Sequence, residues 1–389
     1  MTETVARSTA SVVAGEAELN GAVALRPRRG GRQRVPDTVA TAKLRERLVR
    51  LRDAADVELE RRRTAELEPA DGLPVPVRQL SSISRDLPRQ WPRAAGAVVN
   101  AVRDGSVLSA LRGIASFALE QRRFADRSRR AETEFDDFGF DVEWTDSLLP
   151  IFRFLYRQWW RTEVIGLDNV PGEGRALLVS NHAGVLPYDG MMIRVAIHED
   201  HPSPRHARAL ILNQFFSFPV ASWFLRRTGN TLAHPDDAQR LLERDELVLV
   251  FPEGAKGTGK PYSERYRLRR FGRGGFTQIA LRTGSPIIPV SVVGSEEVHP
   301  MIANVEPVAR MLGVPYVPLT PTLPLLGPLG FIPLPSSWII EFHEPILVDE
   351  HGPEAAEDAG LVMQLSDRVR DTIQSGLYRN LERRGSVFA

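Results

Sequence analysis

The chain has 389 residues, 42% of them apolar and 25% charged, with no cysteine. That length is worth roughly two or three domains and a large core, and this composition excludes collagen-like and wholly disordered classes. Fifty basic residues against 49 acidic ones give a net charge of +1, which argues against nucleic acid as a partner, and the absent thiols remove disulfide scaffolds, cysteine nucleophiles and thiolate metal sites.

Residues 1–90 contain no Phe, Trp or Tyr, and the first aromatic residue is Trp91. Such a segment buries little apolar surface against its ordering entropy, so 1–90 is expected to be a disordered to helical extension, with 1–39 disordered. No basic start and apolar run of a signal peptide is present. From Ala40 to Glu66 good helix formers place Leu44, Leu48, Leu51 and Ala55 on one stripe, which predicts an amphipathic helix. Residues 91–146 read as a further helical segment whose Arg-rich end meets an acidic run, Glu132 to Asp146. The main domain is expected over 147–389. It opens with SLLPIFRFLYRQWWRTEVIG, residues 147–166, which reads as a core helix, with an interfacial membrane helix as the alternative.

From Gly166 onward short apolar runs alternate with helical patterns. Strands are expected at 176–180, 209–212, 247–251, 287–293 and 337–342. Helices are expected near 189–198, 214–226, 236–244 and 275–283, the last capped by Gly284. A terminal amphipathic helix carries Val362, Leu365, Val369, Ile373, Leu377 and Leu381 on one face. This alternation predicts an α/β fold, a mixed and largely parallel sheet flanked by helices. The longest uncharged stretch, 311–340, holds seven prolines, which bars a membrane-spanning helix because the backbone would go unsatisfied in lipid. No transmembrane helix is expected.

In α/β sheets reactive groups sit where strands run out into loops. The loop SNHAGVLPYDG, residues 180–190, follows ALLVS and puts His182 and Asp189 on one strand-to-helix turn. A histidine serves as a general base near neutral pH, and a carboxylate fixes its tautomer; a structural histidine is the bland alternative. The second loop, FPEGAKGTGKPYSERYRLRRFGRGG, residues 251–275, follows LVLVF. From Lys256 to Arg273 it carries seven basic residues and one acid, which suits a phosphate-bearing ligand or simply water. No P-loop, Rossmann fingerprint, nucleophile elbow or H-E-x-x-H zinc motif occurs.

The His…Asp loop, the Phe-Pro-Glu-Gly turn and the later PIIPVSVVG, in this order, resemble the glycerolipid acyltransferase family over about residues 150–350. The resemblance implies acyl transfer from acyl-CoA or acyl-carrier protein to a hydroxyl, with His182 as base and Asp189 as its orienting acid. It also implies acceptor binding at Glu253 and Gly254, with Lys256 in the place of a phosphate-binding arginine. Lys260, Arg265 and Arg267 are its basic neighbours, and Pro289 lies in the third motif. No metal or resident cofactor is implied. The expected partners are a membrane lipid surface, the acyl donor and a glycerolipid acceptor, and the expected location is peripheral, on the cytoplasmic face of a membrane.

Two departures from the family's pattern stand out. Six residues rather than four separate His182 from Asp189, which resembles the mono- and diacylglycerol acyltransferase-like branch, and Ala255-Lys256 replaces the usual Thr-Arg. A phosphorylated, lysophosphatidate-like acceptor is favoured; a neutral alcohol or diacylglycerol is the alternative, and a non-catalytic lipid-binding scaffold is the second. Backbone N–H groups near either loop are the expected oxyanion donors. The proline-rich segment is expected either as an apolar lid over the membrane or acyl tunnel, or as a rigid connection packed on the domain.

Overall fold

The computed structural model describes residues 134–388 except 313 and 323–326, together with 118, 119 and 121–123, all within the compact unit Val75–Ala389. The readings of 1–39, 40–66 and nearly all of 91–131 therefore lie outside the described residues.

Helix α1 (Val142–Phe154) begins where the Asp141 carboxylate accepts the Trp144 N–H, a side-chain N-cap. The single helix expected over 147–166 ends earlier: a π-turn follows at Leu155–Trp159, and Glu163–Ile165 is strand β1. The aromatic density serves burial, since Tyr156 and Trp160 are fully enclosed and the Trp160 ring stacks on Trp338 at 4.7 Å. The indole N–H groups of Trp159 and Trp160 donate to the carbonyls of Pro333 and Leu334. They fasten the end of the proline-rich segment to the domain.

Strand β2 (Ala176–Ser180) leads into α2 (Tyr188–Asp200), and β3 (Ala207–Ile211) into two short helices, α3 (Asn213–Phe216) and α4 (Pro219–Arg227). One helix was expected across 214–226. The break follows from Pro219, which forces Phe218 into extended backbone (φ −92°, ψ 117°) and starts α4 afresh. Then come β4 (Thr231–Leu232), α5 (Pro235–Glu243), β5 (Leu247–Val250), a one-turn α6 (Ala255–Thr258) and α7 (Gly275–Thr283). Gly284 caps α7 at φ +60°, the left-handed conformation that glycine adopts without strain. Strand β6 (Ile287–Val293) is followed by α8 (Ser295–Val298), β7 (Ala303–Asn304), α9 (Glu306–Leu312), β8 (Pro318–Leu319), β9 (Ile339–Phe342) and the long α10 (Ala359–Arg384).

Seven strands form one sheet in the order β1-β9-β6-β2-β5-β3-β4, with β7 and β8 paired separately. All neighbours in the large sheet are parallel except β6 and β9. Helices cover both faces, which is why the central strands read as continuous apolar runs. Leu177, Val179 and Val248 face α5, α7 and α10, while Ala176, Leu178 and Leu249 face α2 and the aromatic turn. Val362, Leu365, Val369, Ile373 and Leu377 of α10 are all buried, as their stripe predicts. Among the described residues no helix is long and apolar enough to cross a membrane.

Candidate active site

The loop after β2 brings His182 and Asp189 together. The Asp189 Oδ2 lies 2.7 Å from His182 Nδ1 and also accepts the Ala183 N–H at 2.8 Å, while Oδ1 accepts the Gly190 N–H. Asp189 is completely buried in the first turn of α2, whereas the His182 side chain is 17% exposed. A buried carboxylate at Nδ1 favours the tautomer with the proton there, leaving Nε2 as the basic nitrogen. The extra length between the two residues forms a looped-out turn, Gly184–Pro187, so the wider spacing does not separate the pair.

This loop is clamped from several sides. Asn181 spans to β6 through two bonds with Val292, and Ser295 Oγ donates to the Ala183 carbonyl at 2.6 Å. Tyr316 OH donates to the Val185 carbonyl, and the Phe251 ring stacks on the imidazole at 4.2 Å. Gly257 of α6 packs so closely that a Cβ there would lie 2.7 Å from the His182 carbonyl oxygen. Asn181, Gly257, Ser295 and Tyr316 are not among the expected site residues, because their role here arises from contacts made only in the fold.

His182 borders an apolar cavity of about 840 Å³. Its walls include Val185, Leu186, Phe215, Phe224, Gly254 and Tyr316, and the described part of the proline-rich segment contributes Val314, Pro315, Pro318 and Phe331. That segment is thus both a cavity wall and, at Pro333–Ser337, a packed connection. A volume of this size, apolar with a few polar groups at one end, suits a ligand with a long hydrocarbon part.

The acyltransferase family model matches residues 161–293. The chain is 44% identical over 313 residues to the uncharacterized protein Rv0502 of Mycobacterium tuberculosis, covering 80% of this chain and 85% of that one. It is 25% identical over 152 residues to the chloroplastic 1-acyl-sn-glycerol-3-phosphate acyltransferase BAT2 of Brassica napus, covering 36% and 40%. A crystal structure of the 1-acyl-sn-glycerophosphate acyltransferase PlsC from Thermotoga maritima aligns with a TM-score of 0.42 at 17% identity, over 73% of this chain and 99% of that one. The chain belongs to the acyltransferase family.

The second loop of this acyltransferase differs from the sequence reading. Gly254 closes the Phe-Pro-Glu-Gly turn by donating its N–H to the Phe251 carbonyl, at φ +55° and ψ −147°, a conformation open essentially to glycine. It lines the cavity. Glu253, expected to hold the acceptor, instead turns inward and is used up. Its Oε1 accepts the His182 N–H at 3.0 Å, and its Oε2 accepts from Arg269 N and lies 3.4 Å from Lys260 Nζ. It braces the backbone of His182.

Lys260 and Arg265, expected as basic neighbours of Lys256 at a phosphate, are both buried. Lys260 is 6% exposed and paired with Glu253 and, at 3.1 Å, with Glu296. Burial opposes its charge, but the Glu296 and Glu253 carboxylates outweigh it and hold the amine above the ordinary lysine range. Arg265, 2% exposed, donates to the Tyr262 carbonyl and stacks over the Tyr262 ring. Arg384 of α10 completes the cluster at 2.9 Å from Glu297, whose carboxyl it holds below the usual range against the effect of burial. Only Lys256 and Arg267 of the four basic candidates are exposed.

Pro289 is buried within β6 rather than in the cavity wall. Its missing N–H is tolerated because it falls between the β9 pairing at Val290–Val293 and the isolated bridge from Ile287 to Ile346. The expected oxyanion donors are partly committed as well, Ala183 N–H to Asp189 and Gly254 N–H to Phe251.

His299, just after α8, is 2% exposed, and neither ring nitrogen has a hydrogen-bond partner. Burial pushes its pKa down to about 4. The unfolded chain takes up this proton near pH 6.5 and the folded chain does not, so stability is present above that pH and falls as pH drops towards 4. The lost contribution is on the order of 2–3 kcal/mol at pH 4.5. His299→Gln should therefore flatten the stability profile between pH 6.5 and 4.5 in denaturant unfolding; an unchanged slope would assign the acid sensitivity elsewhere.

Proposed function

We propose that this acyltransferase moves a fatty acyl group from the thioester of acyl-CoA or acyl-carrier protein to a glycerolipid hydroxyl. The observation that carries this reading is the buried Asp189 fixed on His182 Nδ1, with the imidazole bordering the 840 Å³ apolar cavity. His182 Nε2 takes the hydroxyl proton as the oxygen attacks the thioester carbonyl carbon. The C–S bond then breaks, and the leaving thiolate is protonated, giving an ester and a free thiol. General-base help of this kind contributes about 10²–10⁴-fold. Incubation with an acyl-CoA and a panel of glycerolipid acceptors, with the ester identified by mass spectrometry, tests the reading; thioester loss without any acyl ester would refute it.

A lysophosphatidate-like acceptor would meet Lys256, exposed on α6 beside the cavity-lining Gly254, Ala255 and Thr258. Lys256→Met keeps the stem and removes the charge. For a phosphorylated acceptor KM should rise roughly 10- to 150-fold, the equivalent of a charge-assisted hydrogen bond of about 1.5–3 kcal/mol. The enclosure of Lys260 and Arg265 favours a second reading, a neutral acceptor such as diacylglycerol, for which acceptor KM should not move. Separate KM values for donor and acceptor distinguish the two.

The mouth of the cavity supports docking on a membrane. Phe215, Phe218, Val220 and Phe331 border it and are 37%, 47%, 81% and 57% exposed. Exposed apolar groups clustered at a cavity rim suit a lipid surface. Val220→Asp should reduce co-sedimentation with phospholipid vesicles while leaving the unfolding midpoint unchanged; undiminished binding would move the docking surface elsewhere.

A further inference from the structure

Besides the His182–Asp189 pair, three ligating side chains converge from three elements. Asp146 lies on α1, His198 near the end of α2, and His206 immediately before β3. Asp146 Oδ1 is 3.3 Å from His206 Nε2 and 3.7 Å from His198 Nε2, and one ligand atom from each of the three residues falls within 4.8 Å of the others. We propose that Asp146, His198 and His206 bind a divalent transition-metal ion.

The geometry is that of ligands rather than of a hydrogen-bonded cluster. Asp146 Oδ1, despite these close approaches, is buried with no hydrogen-bond partner. Four ligands at about 2.1 Å in a tetrahedron stand roughly 3.4 Å apart, close to the two separations from Asp146. The two imidazole rings are 4.7 Å apart and tilted by 36°, and a ligand nitrogen of each lies within 4.8 Å of the other. The other nitrogen of His198, Nδ1, is 3.4 Å from Glu199 Oε1, and Arg153 grips that carboxylate with two hydrogen bonds of 2.6 and 2.8 Å. His198 Nδ1 makes no hydrogen bond at that distance, so both nitrogens of this imidazole remain open to a ligand role.

Two imidazoles and a carboxylate prefer Zn²⁺, Co²⁺ or Ni²⁺ to the oxygen-seeking Mg²⁺ and Ca²⁺. The side chains are 43%, 22% and 20% exposed in the order Asp146, His198, His206, which leaves a path for the ion and room for a water ligand. Such an ion fastens α1 to α2 and β3. It does so at the edge of a smaller cavity, about 90 Å³, that His198, His206 and His182 all border.

The test uses the untagged full chain, stripped with a chelator and titrated with ZnCl₂ by calorimetry, alongside thermal unfolding. One Zn²⁺ per chain should bind and raise Tm, whereas MgCl₂ at the same concentration should do neither. Asp146→Asn and His206→Gln should each weaken Zn²⁺ binding by more than the ~10–100-fold of an outer-shell change. The unfolding midpoint of Asp146→Asn without metal should stay near that of the stripped wild type, since Asp146 is partly exposed and Asn is isosteric with it. No saturable binding at one equivalent, or binding undiminished in both variants, would overturn the site.

Discussion

The His182→Ala chain is expected to fold and to lose at least ~10²-fold in turnover. The loop survives the change because Asn181, Ala183 and Val185 are held by Val292, Ser295 and Tyr316. Asp189 keeps the Ala183 and Gly190 N–H donors, so the buried carboxylate is not orphaned. With the fold retained, the loss is assignable to the His182 side chain. Circular dichroism and Tm check the fold, and initial rates at saturating acceptor check the turnover; near wild-type turnover would remove His182 from the chemistry.

Replacing Glu253 should produce the largest loss of stability. Its carboxylate receives the His182 and Arg269 N–H groups and pairs with Lys260, all out of water. Breaking a buried ion pair from one side costs about 3–5 kcal/mol, and Lys260 retains Glu296, so Glu253→Gln belongs at the lower end. About 3 kcal/mol corresponds to a fall of roughly 6–12 °C in Tm for a domain of this size. Gln can still accept the His182 N–H, so below its Tm this variant should keep most of its turnover, whereas Glu253→Ala loses both. An acceptor-binding role would instead show as a raised acceptor KM in Glu253→Gln with Tm unchanged. The two accounts separate cleanly.

The division between what could be read in the sequence and what could not follows the range of the forces involved. Apolar runs such as ALLVS and IIPVSVV are local signals, and they mark β2 and β6 from end to end. The α10 stripe and the Gly284 cap are equally local. The short edge strands β1 and β4 carry no pattern of their own and exist because β9 and β3 offer them backbone partners. The split within the basic loop is a long-range effect. Lys260 and Arg265 are drawn inward because the carboxylates of Glu296 and Glu297 arrive from a distant segment, and nothing in residues 251–275 encodes that meeting. Asp146, His198 and His206 escape a motif search for the same reason.

Release of free thiol from an acyl thioester, followed together with ester formation on a vesicle-borne glycerolipid hydroxyl, tests the central claim most directly. The expected result is thiol and ester appearing in equal amounts, only when the acceptor is present, and at a rate at least ~10²-fold lower in His182→Ala. Thiol release that ignores the acceptor, or that proceeds at the wild-type rate without His182, would contradict it.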